Sequence, residues 1–200
     1  MEALVCDPAE VDSLIRRRRE TGADRYDEVW NGLYVMSPAA SLEHQRLVAE
    51  FTTMLTEVIA RTGRGTVYPG ANVTDREDGW EENYRCTDVV VVLKESEARC
   101  RDIESALVGG PDFLIEVRSP ADKTLDKMDF YGSLGVRELL VVERESKAMS
   151  LYRLTGDGLH EVPPTEGWLE CQSVGLAFRP RPEEQIEVRT LASPARTWSF

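Results

Sequence analysis

Residues 111–131 read PDFLIEVRSPADKTLDKMDFY, and this stretch joins a buried strand to an unexpected pair of charges. The apolar run from Phe113 to Ile115 predicts a buried strand that begins after a Gly-Gly-Pro turn. Side chains alternate along a strand, so Glu116 and Arg118 point to the same face of the sheet. A buried acid costs free energy unless a cation or hydrogen bonds compensate it. The pattern leaves two partners open for Glu116: a bound metal ion or a salt bridge with Arg118.

A helix is predicted directly after this strand. Ser119-Pro120 ends the strand, the helix carries Lys123 and Lys127, and Gly135 ends the helix. The run at 137–143, which contains ELLVVE, predicts the next strand. A strand–helix–strand unit of this length predicts a parallel crossover, in which the helix packs back over the sheet that carries the two charges.

The other elements are predicted from apolar spacing and turn residues. Asn31-Gly32 lies between two strand-like runs and predicts a hairpin, because both central residues of such a turn adopt positive φ. Apolar side chains recur at helical spacing between Ser41 and Arg61, which predicts a long helix. The remaining predictions are an N-terminal helix capped by Asp7, strands at 66–73 and 85–93, a partly helical connector at 95–108, a hairpin around 155–158, and short C-terminal strands and loops on the rim. This order of elements indicates an α/β (α+β) fold with a mixed sheet and helices across it.

Charge, cysteine spacing and hydropathy exclude several classes of protein. The formal net charge is −12 and the pI is about 4.7, so non-specific attraction to nucleic acid or to anionic membranes should be poor. No apolar run approaches the ~20 residues of a membrane helix, and no signal peptide follows Met1. We therefore expect a protein of the reducing cytoplasm. The cysteines form no Cys-x-x-Cys pair, which argues against zinc and redox sites; they are Cys6, Cys86, Cys100 and Cys171.

Two acids from different strands are predicted to meet. Val89 to Leu93 is continuously apolar, which is typical of a strand covered on both faces, and Asp88 stands at its entrance. If this strand lies beside that of Glu116, residues opposite each other have Cβ atoms about 5 Å apart. Two carboxylates at that distance repel each other unless a Mg²⁺ or Mn²⁺ ion lies between them. Asp112 is about 13 Å from Glu116 along its own strand, so those two cannot share an ion.

Six motifs occur in a fixed order along the chain. They are YDEVWNGLYVMSP at 26–38, Glu43-His44-Gln45, Thr87-Asp88 with four valines, PDFLIEVRSP at 111–120, Lys127 with Tyr131, and GVRELLVVE at 135–143. With these motifs the chain resembles the Uma family of "putative restriction endonucleases", within the PD-(D/E)XK nuclease-like superfamily. The resemblance covers about residues 24–145 and leaves both ends of the chain uncovered.

The resemblance implies a restriction-endonuclease-like core with helices flanking a central mixed β-sheet. We expect one domain over residues 1–200, with its core at about 24–145 and with 146–200 as peripheral strands and loops. The resemblance also implies a divalent-metal site for Mg²⁺ or Mn²⁺ on Asp88 and Glu116.

The resemblance assigns roles to four further residues. Arg118 occupies the position at which the superfamily has a lysine, and an arginine can bind phosphate but cannot act as a base. Lys127 is the best substitute for the missing ammonium, with Lys123 as a rival for that role. Glu28 and His44 match family positions near the site, so they are candidate substrate-binding residues together with Arg118.

Two functions follow from this resemblance. The first is a metal-dependent DNA endonuclease in which Asp88 and Glu116 hold the metal and Lys127 stabilises or orients the attacking water. The second is a catalytically inactive nuclease-fold protein that acts as a binding or regulatory module; the acidic balance and Arg118 favour it. For the first, we expect weak, cation-assisted binding to DNA. We also expect a homodimer, because two sites cut both strands most simply.

Overall fold

The computed structural model describes residues 8–119 and 123–200 of the chain. The predicted cap Asp7 and the strand-ending Pro120 lie outside the described residues. No helix within the described ranges is long and apolar enough to span a lipid bilayer. The α-helices of these ranges are α1 (Pro8–Thr21), α2 (Leu42–Leu55) and α3 (Met128–Leu134).

The described strands form two sheets. Their bounds are β1 (Glu28–Trp30), β2 (Leu33–Val35), β3 (Gly65–Thr74), β4 (Tyr84–Leu93), β5 (Arg101–Asp102), β6 (Leu107–Val108), β7 (Phe113–Arg118), β8 (Glu138–Glu143), β9 (Met149–Thr155), β10 (Gly158–Val162), β11 (Leu169–Cys171), β12 (Leu176–Arg181), β13 (Gln185–Thr190) and β14 (Thr197–Ser199).

The first ten strands form a mixed sheet that places the two predicted acids on neighbouring strands. Its order is β10-β9-β8-β7-β4-β3-β6-β5, with β1 joined both to β2 and to one end of β4. β7 and β8 pair in parallel across the crossover that contains α3, as the sequence predicts. β4 and β7 are antiparallel neighbours. The predicted α+β class, with a central mixed sheet and flanking helices, is confirmed.

The mixed sheet is covered on both faces. One face packs on α2 and on the second sheet, β11-β12-β13-β14, in a core that includes Phe51, Phe113 and Phe178. The other face packs on α3 in a core that includes Leu114. Because side chains alternate along β7, Glu116 points to the α3 face with Leu114. The candidate acids therefore lie under the crossover helix.

Of two predictions about the edges of the fold, one is wrong and the other is confirmed only in part. The C-terminal segment does not lie on the rim, because the inward side chains of β12 and β13 alternate and complete the main core. The ring of Phe178 stacks on that of Phe113 with 6.0 Å between their centroids. The connector is also less helical than predicted: one 3-10 turn at Lys94–Ser96 is followed by the short β5–β6 pair.

Local sequence signals place the two elements that bring further polar groups to the acids. Asn31 and Gly32 have φ of 50° and 82°, so the predicted hairpin turn is confirmed. Ser41 caps α2 by accepting a hydrogen bond from the amide of His44 at 3.2 Å. The helix continues through a π-helical turn at Thr56–Ala60, which confirms the predicted extent.

Candidate active site

The candidate site lies where β4 and β7 separate. Their paired residues end at Val89 and Ile115, so the next step of the register sets Asp88 opposite Glu116. There the backbone amide of Val117 donates to Oδ2 of Asp88 at 2.6 Å. The carboxylate of Asp88 thus replaces the backbone carbonyl that would accept this amide if the pairing of β4 and β7 continued. The structure brings the two predicted acids together.

Next to this opening, charged side chains form hydrogen bonds with backbone groups of β4 that have no neighbouring strand. β1 pairs with the start of β4 through Val29 and Tyr84, and β7 pairs only further along. Between them, Oε1 of Glu28 accepts the amide of Cys86 at 3.0 Å, and Nζ of Lys127 donates to the Cys86 carbonyl at 3.3 Å. Buried backbone groups need partners, so this gap in the sheet explains why two charged side chains are buried here.

The ammonium of Lys127 lies between two acids. Nζ is 2.7 Å from Oε1 of Glu28 and 3.3 Å from Oε1 of Glu116, and the side chain is only 10% exposed. Burial lowers the pKa of Lys127, but the charges of Glu116 and Glu28 outweigh burial, and the net shift is upward. Lys127 therefore stays protonated at neutral pH. It can stabilise negative charge or donate a hydrogen bond, but it cannot act as a base.

Glu116 titrates close to neutral pH. Burial raises the pKa of Glu116 to about 7; the charge of Lys127 opposes this shift, and the charge of Asp88 adds to it. The hydroxyl of Tyr131 donates to Oε1 of Glu116. Burial also raises the pKa of Tyr131 well above its usual value, so the hydroxyl keeps its proton. The repulsion between the two carboxylates is therefore only partly compensated by protein groups.

The raised pKa of Glu116 predicts that the metal-free protein loses stability as the pH rises. The folded state keeps a proton that the unfolded chain releases above its ordinary pKa of 4.5, so the free energy of unfolding should fall between about pH 4.5 and about pH 7. The total loss should be on the order of 3 kcal/mol, at about 1.4 kcal/mol per pKa unit. Denaturant unfolding in EDTA at about pH 5 and about pH 8 measures it.

Glu116→Gln is the matched variant for this measurement. Glutamine cannot titrate, so the decline with pH should be smaller in the variant than in the wild type. The raised pKa of His44 contributes a decline of the same sign to both proteins. The charge of Glu116 helps to raise the pKa of His44, so the difference between the two proteins reports Glu116 together with its effect on His44. Identical pH dependence in the two proteins would contradict the prediction.

His44 contacts the other acid from the first turn of α2. Its Nε2 lies 3.1 Å from Oδ1 of Asp88, and each of the two side chains is 17% exposed. Burial lowers the pKa of His44, but the hydrogen bond and charge of Asp88 outweigh burial, and the net shift is upward. Asp88 is thus held by one imidazole and by the amide of Val117.

Arg118 points to the neighbouring strand β8. Its Nη1 donates to Oε1 of Glu143 at 2.9 Å. Among the described residues, Lys127 and not Arg118 is the cation that contacts Glu116. The sequence offers a salt bridge with Arg118 as the alternative to a metal ion at Glu116. That prediction is wrong, because the cation beside Glu116 is Lys127. A second arginine, Arg144, extends the positive charge on this side.

The donor set at the opening of the strands fits a hard divalent cation. Within the described ranges no group of three or more His, Cys, Asp or Glu side chains is arranged to hold a metal ion. Mg²⁺, however, is commonly bound by one or two carboxylates and several waters. Lys127 and Tyr131 both contact Oε1 of Glu116, so these contacts leave Oε2 for another ligand. Burial is the main cause of the raised pKa of Glu116, and repulsion from Asp88 adds to it; a cation between the two acids would remove that repulsion.

Sequence reasoning missed three contacts around this site. The indole of Trp30 donates to Glu28, the hydroxyl of Tyr131 donates to Glu116, and Arg144 donates to the hydroxyls of Ser41 and Ser119. The four-residue spacing of Lys127 and Tyr131 on one helical face could have indicated the second contact. Trp30 and Glu28 are two residues apart in β1, and alternation along a strand places their side chains on one face, so this contact also has a local signal. The two partners of Arg144 lie 103 and 25 positions away, and no local pattern marks those contacts.

A known family matches most of the chain. Residues 11–179 match the family Uma2, described as "Putative restriction endonuclease". The chain belongs to the Uma2 family. The match is longer than the motifs at 24–145, because it includes most of α1 at one end and β11 and most of β12 at the other.

A solved structure shares the fold of this Uma2 protein. It is the crystal structure of a "putative nuclease belonging to DUF820" from Anabaena variabilis, with a TM-score of 0.57 and 14% sequence identity. The similarity covers 74% of this chain and 82% of that chain. No curated protein sequence matches the chain. Family and fold together support a nuclease.

Proposed function

We propose that this Uma2 protein is a metal-dependent DNA endonuclease that hydrolyses phosphodiester bonds. One observation carries the proposal: Asp88 and Glu116 lie side by side where β4 and β7 separate, with the ammonium of Lys127 3.3 Å from Glu116. Phosphoryl transfer needs charge stabilisation and positioning more than covalent chemistry, and this cluster supplies both.

Each residue of the cluster has a distinct role in the proposal. Asp88 and Glu116 hold Mg²⁺ or Mn²⁺, which supplies an acidified water and positive charge at the phosphate when bound. Lys127 remains charged and stabilises negative charge beside Glu116. His44 orients Asp88, and Glu28 fixes the ammonium of Lys127.

The DNA contacts follow from partly exposed cations at the end of the sheet where β7 and β8 finish. Arg118 and Arg144 extend from the ends of β7 and β8, with side chains 31% and 21% exposed, and either can bind a phosphate. The net charge of −12 keeps binding weak, so Mg²⁺ or Ca²⁺ should strengthen it and salt should weaken it. We further propose a homodimer, since two sites cut two strands most simply.

Domain organisation and compartment belong to the same proposal. One domain over residues 1–200 is supported by the second sheet, whose side chains share a core with the mixed sheet. A reducing cytoplasm is supported by Cys86, Cys100 and Cys171, which are buried free thiols.

A second candidate is a nuclease-fold binding module without catalysis. The observation that favours it is the buried pair of Lys127 with Glu116, because an ammonium already compensates the acid that a metal would need. In this case DNA or another polyanion would bind without being cut.

Nicking of supercoiled plasmid separates the two candidates. The endonuclease nicks DNA in Mg²⁺ or Mn²⁺ and is inactive in EDTA, and its DNA affinity, measured by fluorescence anisotropy, rises with Mg²⁺. Activity that persists in EDTA would overturn the metal-dependent mechanism. Binding without nicking in either metal would establish the binding module instead.

A further inference from the structure

We propose that Trp30 is a positioning residue that fixes Glu28 and, through it, the ammonium of Lys127. The proposal rests on the proposed nuclease function for its effect on rate, and on geometry alone for its effect on Lys127. Neither Trp30 nor its neighbour Arg85 has a role in the chemistry described above. Both are nevertheless placed around the carboxylate that holds the ammonium.

The indole of Trp30 completes the hydrogen bonding of Glu28. Its Nε1 donates to Oε2 of Glu28 at 2.6 Å, while Oε1 accepts from Lys127 at 2.7 Å and from the amide of Cys86 at 3.0 Å. With both oxygens engaged from different directions, the carboxylate cannot rotate without losing a charge-assisted hydrogen bond. Glu28 therefore presents one defined oxygen to Lys127.

Arg85 fixes the indole from one side. Its guanidinium lies 4.6 Å from the ring centroid of Trp30 and 4.0 Å from that of Phe130, and the residue is only 4% exposed. One of its nitrogens also donates to the carbonyls of Val29 and Tyr84. Such cation–π contacts strengthen when they are removed from water.

The stack connects the two elements that supply the groups around Glu116. Trp30 belongs to the β1–β2 hairpin, and Phe130 lies on α3, directly before Tyr131. Tyr131 donates to Glu116, and Lys127 lies one turn earlier. Arg85 thus joins the hairpin to the crossover helix across β4.

The position of Glu28 determines how the ammonium of Lys127 is shared between its two acids. Its Nζ is nearer to Glu28, at 2.7 Å, than to Glu116, at 3.3 Å. If Glu28 rotates away, the ammonium loses its shorter contact and becomes more accessible to solvent. This movement removes Lys127 from the position in which it serves the site.

Trp30→Phe tests the proposal, because phenylalanine keeps a ring beside Arg85 but has no N–H for Glu28. Limited acetylation followed by mass spectrometry reports how accessible each lysine amine is. Lys127 should be acetylated roughly tenfold faster in the variant, the scale of losing one hydrogen bond to a charged group. The turnover number for nicking should fall by a similar factor, with KM for DNA unchanged.

Two controls separate local release from general loosening. Trp80→Phe removes another indole, at a position that has no contact with Glu28 among the described residues, and should leave Lys127 protected. Lys147, which is 2% exposed and held by Glu43, should stay protected in both variants.

An NMR measurement tests the hydrogen bond between Trp30 and Glu28 without substituting Trp30. The indole N–H of Trp30 should exchange slowly in wild-type protein, and its NMR resonance should move in Glu28→Gln. An indole resonance that does not shift in Glu28→Gln would overturn the proposal even if Trp30→Phe failed to fold.

The remaining outcomes are distinguishable. Unchanged acetylation of Lys127 in Trp30→Phe overturns the positioning role, as does an equal rise at Lys147. Release of Lys127 in a protein whose wild type does not nick DNA supports the positioning role and overturns the nuclease function.

Discussion

Asp88→Asn should abolish metal-dependent nicking of supercoiled DNA, with a loss of more than about 10³-fold, because it removes an anionic metal ligand rather than a single hydrogen-bond donor. Mn²⁺ binding, measured by calorimetry, should be lost in the same variant. Glu116→Gln should give the same two results. Both acids face one gap between β4 and β7, so neither alone can compensate for the other.

Asp88→Asn should also remove a hydrogen bond that stabilises the folded protein. Asp88 accepts hydrogen bonds on both oxygens, from the amide of Val117 and from His44, whereas asparagine offers one acceptor. Relief of the repulsion with Glu116 stabilises the metal-free variant, and the lost hydrogen bond costs about 1–2 kcal/mol. We expect a small net change in thermal stability, which calorimetric melting in EDTA would measure.

The chain offers a matched control for this substitution. Asp157 forms a similar acid–histidine pair with His160 at 2.9 Å, but on an exposed turn far from the opening of the strands in sequence. Asp157→Asn should keep both nicking and Mn²⁺ binding. Nicking that survives Asp88→Asn would mean that the activity belongs to a contaminant or to another site.

Lys127→Ala should reduce the cleavage rate by about 10²–10³-fold, the scale of removing one electrostatic stabiliser. The same variant should lose stability by about 3–5 kcal/mol, because it leaves two buried acids without their cation. Glu28 and Glu116 are 4% and 5% exposed, so water cannot replace the ammonium well. Denaturant unfolding and plasmid nicking measure the two effects separately.

The pH dependence of that stability loss is a specific consequence. Glu116 has a pKa of about 7 even with Lys127 present, and removing the ammonium should raise the pKa further. At low pH the carboxyl is neutral and needs no cation, so the loss should be largest above neutral pH and should shrink as the pH falls. A pH-independent loss would contradict the ion-pair role.

Two companion variants separate rate from stability. The double substitution Lys127→Met with Glu28→Gln removes one acid together with the cation, so it should recover part of the stability but none of the activity. Lys123→Ala removes the rival lysine and should leave both close to wild type. Full cleavage by Lys127→Ala would show that another group supplies the positive charge.

Part of the candidate site could be predicted from sequence because its acids sit in strands with clear patterns. The apolar run ending at Ile115 predicts one strand that carries Glu116 directly after it, and the four valines after Asp88 predict the strand of the second acid. Adjacent strands in one sheet then bring the two acids together. Lys127 is predicted to reach these acids because the crossover helix must return over the sheet.

Other parts of the site could not be predicted because they depend on where strand pairing stops. Whether β7 follows β4 beyond Ile115 is decided by the whole sheet, and the amide of Val117 instead turns to Asp88, 29 positions earlier in the chain. The same opening exposes the peptide groups of Cys86, which Glu28 satisfies across 58 positions. Nothing in the local sequence around Glu28 indicates that partner.

Local sequence was enough to predict the long strands of the mixed sheet, the hairpin turn and the helical faces, because these follow from side-chain period and backbone preference within a few residues. Tertiary structure alone decided that the C-terminal strands complete the core and that Lys127 is shared between Glu28 and Glu116. Burial and charge compensation depend on every element that surrounds a group. A local pattern can therefore predict that an acid is buried, while only the assembled sheet and helix determine which cation accompanies it.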